Sequence, residues 1–301
     1  MESKIESFEQ LVARVKSGNR KNIVVAAADD EHTLEAVAEC YLDGLVDYTL
    51  VGSSEGIRSI CTRISFDVPV DKIVHMESKE ECAREAVRLI NAGMGDVLMK
   101  GGLETATLLK AVVDKETGIG TGGVMSHIAV LKSPHYNRLF ATTDGGMLIY
   151  PDLKQKSGAL KNAISFFHGL GYQKPNAAIL CAVETQSPKM PETVDAHELK
   201  KMSLDGEFGE CVVEGPISFD LAVSEESCKI KGYESPVSGN ADIFLFPNIA
   251  ACNLFTKGLL YFGNAKMAGC VVGAKAPIAL LSRSATAEEK YLSIALCAAY
   301  K

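Results

Sequence analysis

This chain of 301 residues lacks the charge excess, membrane spans and binding motifs that would identify a function directly. Basic residues are not in excess, because 31 Lys and Arg stand against 38 Asp and Glu. The formal net charge of −7 gives no reason to expect a nucleic-acid partner. No run of about 18 apolar residues predicts a membrane span, and the polar first 21 residues do not resemble a signal peptide. We therefore expect a cytoplasmic protein that does not act at a membrane.

Metal-binding and nucleotide-binding motifs are missing as well. The six histidines include no HExxH spacing and the nine cysteines include no CxxC pair, so the sequence does not indicate a zinc site. No GxxxxGKS or GxxxxGKT segment is present, which excludes the usual triphosphate-binding loop. Several cysteines stand in apolar runs, such as residues 179–183 and 269–272. We expect these thiols to be reduced and buried as small hydrophobic side chains.

The chain does contain short apolar runs that alternate with amphipathic helical segments. Residues 23–28, 48–52, 72–76 and 96–101 predict strands, with helical patterns between them. Because these runs are continuously apolar, they indicate strands buried on both faces, and hence a largely parallel sheet covered by helices. The repetition of strand and helix predicts a doubly wound α/β fold.

The middle of the chain departs from this rhythm. Residues 127–132 and 138–143 are separated by a loop of turn-forming residues, which predicts an antiparallel pair of strands. Alternation of helix and strand then resumes. The last strand is predicted at residues 269–274, and a final helix begins near residue 286.

Parallel strands place ligands outside their carboxyl ends, where loops meet the N-termini of helices. Lys100 and Gly101 end one strand, where glycine lets the backbone approach a ligand and lysine adds a positive charge. Asp144 and Gly145 follow another, where the carboxylate binds a ligand amide or hydroxyl, or forms an ordinary turn. The same rule selects the loops after the strands predicted at residues 210–214, 241–247 and 269–274.

Polar residues also surround the apolar strand at residues 241–247. Gly239 and Asn240 precede it, and Asn248 follows it as either a helix cap or a ligand contact. Asn253 and Lys257 lie four residues apart and therefore on one helix face. Amides and a lysine near one helix start suit a phosphate or a pantetheine group.

Ser282 and Arg283 stand just before the last predicted helix. An arginine beside a helix N-terminus combines a planar fork of donors with the positive end of the helix dipole, which suits phosphate. Thr286 and Glu289 have the spacing of a capping box, which is the structural interpretation of that glutamate.

Two stretches resemble the signature of the phosphate acetyl/butyryl transferase family. They are residues 238–247, which read SGNADIFLFP, and residues 277–289, which include Ser282-Arg283-Ser284. The resemblance extends over nearly the whole chain, and several segments are similar to the butyryltransferase branch in particular. These are residues 95–101, 106–109, 126–130, 214–220 and 292–296.

The resemblance implies a two-domain α/β/α fold of the isocitrate/isopropylmalate dehydrogenase type, with mostly parallel sheets. It places the active site in the interdomain cleft. The first domain would comprise residues 1–132 plus 271–301, and the second residues 133–270. A homo-oligomer, a dimer or larger, is also expected.

The activity that the resemblance implies is reversible acyl transfer between coenzyme A and inorganic phosphate. Coenzyme A is then a substrate, and no bound cofactor, metal or covalent acyl-enzyme is expected. Ser282 and Arg283 match a catalytic serine-arginine pair, and Glu289 matches an acid seven positions after the serine. That acid is aspartate in the acetyltransferase pattern, so Glu289 is either the base or only a helix cap. The binding candidates are Lys100, Gly101, Asp144, Gly145, Gly239, Asn240, Asn248, Asn253 and Lys257.

Three alternatives remain at this point. A phosphate acetyltransferase acting on acetyl-CoA shares most of these residues, and kinetics with different acyl chains separate the two. A decarboxylating dehydrogenase of the same fold would need a cluster of aspartates that the sequence lacks. A non-catalytic oligomeric binding protein would fail to release thiol from butyryl-CoA and phosphate.

Because no loop groups carboxylates and histidines at ligand spacing, we predict that acyl transfer survives EDTA. Specific activity with butyryl-CoA and phosphate, measured before and after chelation, checks this. Complete loss of activity that added divalent metal restores would contradict a metal-free mechanism.

Overall fold

The apolar runs form buried strands in the computed structural model, which describes residues 3–282 and 285–300. A 3₁₀ turn at Val70–Lys72 precedes the third strand. Along the described residues the other elements follow in chain order as α1 (Phe8–Ser17), β1 (Lys21–Ala26), α2 (Glu31–Leu42), β2 (Val46–Gly52), α3 (Ser54–Arg63), β3 (Ile73–His75), α4 (Lys79–Asn91), β4 (Val97–Lys100), α5 (Thr105–Val112), β5 (Ser126–Ser133), β6 (Tyr136–Thr143), α6 (Leu153–Gly169), β7 (Asn176–Leu180), α7 (Pro191–Leu204), β8 (Val212–Ile217), α8 (Phe219–Val223), α9 (Glu225–Lys231), β9 (Ile243–Leu245), α10 (Ile249–Tyr261), β10 (Lys266–Val272), β11 (Ile278–Ala279) and α11 (Ala287–Ala299).

The backbone divides into two compact units. The N-terminal unit comprises residues 9–123 with the described part of 268–300. The central unit comprises residues 124–267 with residues 3–8. The domain bounds implied by the family resemblance, 1–132 plus 271–301 and 133–270, stay a prediction.

Strands of the N-terminal unit lie in the order β3-β2-β1-β4-β11-β10. Their pairings are parallel except that of β10 with β11. Residues 23–25 of β1 are fully buried, as expected for a central strand covered on both faces. The side chains of Asp30, Ser53 and Ser78 start α2, α3 and α4 by accepting hydrogen bonds from backbone amides of the first turn.

Strands of the central unit lie in the order β5-β6-β9-β7-β8. β5 and β6 are antiparallel, with Ala129 opposite Thr142, which confirms the predicted pair. The remaining pairings in this unit are parallel. Phe140 and Phe244 contribute to its core, and their rings pack edge to face at 5.4 Å.

The mostly parallel α/β organisation is confirmed, but the end of the chain differs from the prediction. The strand predicted as the last is β10, and the two-residue strand β11 follows it. Because β10 is antiparallel to β11 while β11 is parallel to β4, the loop after β10 leaves at the edge opposite to the loop after β4. The prediction that this loop lies at the ligand edge was therefore wrong. A strand of two residues is too short to show any periodicity.

The surroundings of the cysteines match the expectation of small hydrophobic side chains. All nine are free thiols, and seven of them are buried. Burial raises the pKa of Cys252 to about 12, so this thiol stays protonated at neutral pH. Among residues 3–282 and 285–300, no three His, Cys, Asp or Glu side chains group together as metal ligands. No helix in the same residues combines the length and apolar character needed to cross a bilayer.

We predict that Ile278→Ala destabilises the fold, because Ile278 is fully buried in β11 where that strand pairs with β10 and β4. Truncating a buried isoleucine to alanine costs about 2–5 kcal/mol of unfolding free energy. Ile230→Ala is the matched control, since Ile230 is 79% exposed and its loss should cost under about 0.5 kcal/mol. Urea unfolding measures both, and equal midpoints for the two variants would contradict the prediction.

Candidate active site

The loop after β4 lies against the backbone of β1. Gly101 N donates to Ala26 O at 2.9 Å and Gly102 N donates to Ala27 O at 2.7 Å. A Cβ atom on Gly101 would stand 2.3 Å from Ala27 O, which no side chain tolerates. Glycine at position 101 is therefore required by the close approach of two backbone segments.

The side chain of Lys100 stabilises this loop by donating hydrogen bonds to its backbone. Its Nζ donates to Gly101 O at 3.1 Å and to Leu103 O at 3.2 Å. The ammonium thus satisfies loop carbonyls and brings a positive charge to the carboxyl end of β4. This placement agrees with the expectation that the loop can attract an anion.

The pairing of β11 with β4 places Ser282 at the same strand edge as Lys100. Ile278 pairs with Leu98 and Ala279 with Met99 in parallel register, so the residues after β11 leave at the same edge as Lys100. A cavity of about 360 Å³ at this edge is lined by Ser282, Lys100 and Gly101, among others. The structure therefore brings three of the predicted site residues together. Arg283 lies outside the described residues.

Sequence reasoning missed three charged residues that line this cavity, Asp30, Glu104 and Lys290. Asp30 Oδ1 accepts hydrogen bonds from Thr33 N at 2.9 Å and Thr33 Oγ1 at 2.6 Å. Burial favours the neutral acid, but the Thr33 hydrogen bonds and the charges of Lys290 and His32 outweigh it and lower the pKa of Asp30. Asp30 stands two positions after the apolar run at residues 23–28, so the rule for parallel strands was a usable signal for it.

Glu289 forms the capping box that its spacing predicts. Thr286 N donates to Glu289 Oε2 at 2.8 Å, and Glu289 N donates to Thr286 Oγ1 at 3.1 Å. The carboxylate therefore holds the first turn of α11. Its second oxygen retains acceptor capacity, so the cap is compatible with a role as base, which stays a prediction.

A second group of predicted residues meets at the carboxyl end of β6, in the central unit. Asp144 is buried, and its two oxygens accept from three backbone amides, those of His127, Gly146 and Met147, each at 2.7 Å. Asn253 Nδ2 donates to Gly145 O at 3.1 Å. Asp144, Gly145 and Asn253 thus form one polar cluster.

Asn248 and Lys257 belong to the helix that carries Asn253. Asn248 caps α10, because its Oδ1 accepts from Ala251 N at 3.0 Å. This is the helix-cap role that was one of its two predicted roles. Lys257 is exposed one turn beyond Asn253. The start of α10 therefore places Asn248 and Asn253 at the strand edge of Asp144, whereas Lys257 lies in the second half of the helix.

His127 is a further member of the Asp144 cluster that sequence reasoning did not single out. Its Nδ1 is buried and has no hydrogen-bond partner among the described residues. Burial lowers the pKa of His127, while the charge of Asp144 works in the opposite direction. The ring packs under the loop, since a Cβ on Gly146 would lie 3.1 Å from His127 Cγ. The sequence signal for His127 was its position at the start of β5, the strand that pairs with β6.

Gly239 and Asn240 lie at the opposite end of the central strands, because they precede β9 instead of following it. Asn240 Oδ1 accepts from Arg138, whose Nη1 also donates to Asp242 Oδ1 at 2.8 Å. Burial raises the pKa of Asp242 against the opposing effects of the Asn176 amide and Arg138. The structure does not bring Gly239 and Asn240 together with Asp144 or Asn253, and it gives Asn240 a structural partner.

Comparison with known proteins finds relatives over almost the whole chain. A family model described as phosphate acetyl/butaryl transferase matches residues 7–89 and 77–298. A phosphate butyryltransferase of Clostridium acetobutylicum is 42% identical over 294 residues, 98% of this chain and 98% of its own length. A phosphate acetyltransferase of Thermotoga maritima is 36% identical over 97% of this chain and 99% of its own.

Solved structures of other proteins superpose on this chain. A branched-chain phosphotransacylase from Enterococcus faecalis is 31% identical and superposes with a TM-score of 0.80 over 92% of this chain and 97% of its own. A 4-hydroxythreonine-4-phosphate dehydrogenase from Klebsiella pneumoniae, 12% identical with a TM-score of 0.56 over 93% of this chain and 98% of its own, shares the dehydrogenase-like fold alone. The fold and the matching relatives define an acyltransferase. The chain belongs to the phosphate acetyl/butyryl transferase family.

Glu289→Gln separates catalysis from capping, because glutamine still completes a capping box but cannot take a proton. If Glu289 is the base, kcat falls roughly a hundredfold to ten-thousandfold while the melting temperature stays unchanged. Thr286→Ala is the companion variant: it removes the other half of the cap and should cost about 0.5–2 kcal/mol of stability but keep kcat. A Glu289→Gln enzyme with normal kcat would make this residue structural only.

Proposed function

We propose that this protein catalyses reversible acyl transfer between coenzyme A and inorganic phosphate, with butyryl-CoA and phosphate giving butyryl phosphate and coenzyme A. The observation that carries the proposal is the 42% identity to a phosphate butyryltransferase over 98% of both chains. The cavity that unites Ser282, Lys100 and Gly101 at one strand edge supports it, because that is where parallel strands place ligands.

In the direction of acyl-CoA formation, the reaction needs a base for the thiol. Glu289 takes the thiol proton, and the thiolate attacks the carbonyl carbon of the acyl phosphate. The new C–S bond forms as the C–O bond to phosphate breaks, and inorganic phosphate leaves with the bonding pair. No covalent acyl-enzyme and no metal takes part in this sequence.

Residues around the reacting carbonyl stabilise the negative charge that develops during the transfer. Arg283 holds the phosphoryl group and Ser282 donates a hydrogen bond to the developing oxyanion or thiolate. Lys100 and Gly101 supply a positive charge and close backbone approach at the same cavity. In the central unit, the Asp144, Gly145 and Asn253 cluster offers polar groups suited to the amides of a ligand, with Asn248 and Lys257 on the helix that carries Asn253.

The second candidate is a phosphate acetyltransferase acting on acetyl-CoA. The 36% identity to the acetyltransferase of Thermotoga maritima over nearly the whole chain favours it. Both candidates use the same cavity and the same chemical steps. They differ only in the room that the site leaves for the acyl chain.

We predict that butyryl-CoA and branched C4–C5 acyl-CoA have higher kcat/KM than acetyl-CoA. Each methylene that a pocket accommodates changes the activation free energy by about 1–3 kcal/mol. Initial rates of thiol release with acetyl-, propionyl-, butyryl- and isobutyryl-CoA at saturating phosphate provide the measurement. A clear preference for acetyl-CoA would select the second candidate, and no thiol release with any of them would exclude both.

We further propose that the protein acts in the cytoplasm as a homo-oligomer. Nine free thiols are typical of a reducing compartment. The apolar helix α10 leaves Leu254 72% and Tyr261 71% exposed, and Phe262 just after it 96% exposed. Nothing lies within 4 Å of a Cβ built on Gly258, on the same face. A contiguous apolar face of this kind supports contact with a second copy of the chain.

Leu254→Lys combined with Phe262→Lys should therefore lower the oligomeric state, because two charges would be buried in the contact. Light scattering coupled to size-exclusion chromatography measures the mass. Ile230→Lys changes an equally exposed side chain on α9 and should leave the mass unaltered. Identical masses for wild type and the double variant would remove α10 from the interface.

A further inference from the structure

Lys290 occupies a distinctive place in the cavity of the N-terminal unit. It is the fourth residue of α11 and stands eight positions after Ser282. Its half-buried side chain lines the same cavity as Ser282, Lys100 and Gly101. No part of the predicted catalytic scheme uses it.

The ammonium of Lys290 makes no hydrogen bond or ion pair with any described residue. The neighbouring lysines differ in this respect, since Lys79 pairs with Asp29 at 3.0 Å and Lys100 donates to two carbonyls. Asp30 lines the cavity too, but its Oδ1 accepts from Thr33. Lys290 therefore keeps three donors and a full charge available.

Helix stability does not account for a lysine at this position. A positive charge near a helix N-terminus opposes the helix dipole. The residues three and four positions later are Ser293 and Ile294, so no carboxylate partner stands on the same face. The residues three and four positions earlier, Ala287 and Thr286, offer none either. Removing the charge should not weaken α11.

From this placement we infer that Lys290 binds a phosphoryl group of the substrates. The inference rests on the proposed function and adds a second basic contact to the cavity that Lys100 and Ser282 line. A phosphoryl dianion there would meet two ammonium groups and the exposed Ser282, beside the carboxylates of Asp30 and Glu104 that line the same cavity. Lysine serves phosphate as a point charge. The group belongs either to inorganic phosphate and acyl phosphate or to coenzyme A.

The test compares wild type with Lys290→Met, Lys290→Arg and the control Lys154→Met. Lys154 is also a lysine in the first turn of a helix, α6, but it is exposed and lies in the central unit, outside the candidate site. Steady-state kinetics give kcat and the KM values for phosphate, coenzyme A and 3′-dephospho-coenzyme A. Calorimetry gives the Kd values for phosphate and coenzyme A without turnover.

We expect Lys290→Met to raise one KM, and the matching Kd, by roughly tenfold to a hundredfold, the usual effect of losing a hydrogen bond to a charged group. The melting temperature should stay unchanged, Lys290→Arg should retain most of the affinity, and Lys154→Met all of it. A rise confined to phosphate assigns the phosphate of the acyl transfer. A rise for coenzyme A that disappears with the dephospho form assigns the 3′-phosphate, and one that persists assigns the diphosphate.

Two results would overturn the inference. One is a Lys290→Met enzyme with wild-type KM and Kd values for all three ligands. The other is an equal loss in Lys154→Met, which would reflect overall charge only. If wild type shows no acyl transfer at all, the proposed function fails, and the Kd values still decide whether Lys290 binds phosphoryl groups.

Discussion

The short strand β11 is the constraint on which the candidate site depends. It turns the chain back after β10 and pairs in parallel with β4. Leu98 N donates to Pro277 O at 3.1 Å as this pairing begins. Because of that reversal, Ser282 leaves at the same edge as Lys100, although 181 residues separate their chain positions. The same reversal leads the chain towards α11, whose Lys290 lines the cavity.

Several of the predicted site residues hold the local fold. Glu289 completes the cap of α11, Asp144 orders its loop through three amides, and Asn248 begins α10. A carboxylate that accepts backbone hydrogen bonds has a fixed orientation, which favours precise placement of a reacting group. Replacement of such residues therefore tests structure and chemistry together, and only isosteric variants separate the two.

Much of the fold was predictable because buried parallel strands leave continuous apolar runs. β1, β2 and β4 and the antiparallel β5 and β6 were found in this way. β11 was missed, since two residues carry no period.

The candidate site was predictable where a residue follows a strand, as Lys100, Gly101 and Asp144 do. Asn240 was a wrong candidate by the same rule, because it precedes β9 and therefore lies at the amino end of that strand, opposite to the ligand edge. Lys290 shows a limit of sequence reasoning: its interpretation depends on the cavity that it lines and on its ammonium making no hydrogen bond to a described residue, which only three-dimensional packing reveals.

The loop after β4 is already ordered before any ligand binds. Four hydrogen bonds, from Gly101 N, Gly102 N and twice from Lys100 Nζ, tie it down, and position 101 has no room for a side chain. The conformational entropy of this segment is therefore lost on folding and not on association, which favours affinity. Position 101 also tolerates no larger residue, so a search for altered acyl preference should leave residues 100–102 untouched and vary side chains elsewhere.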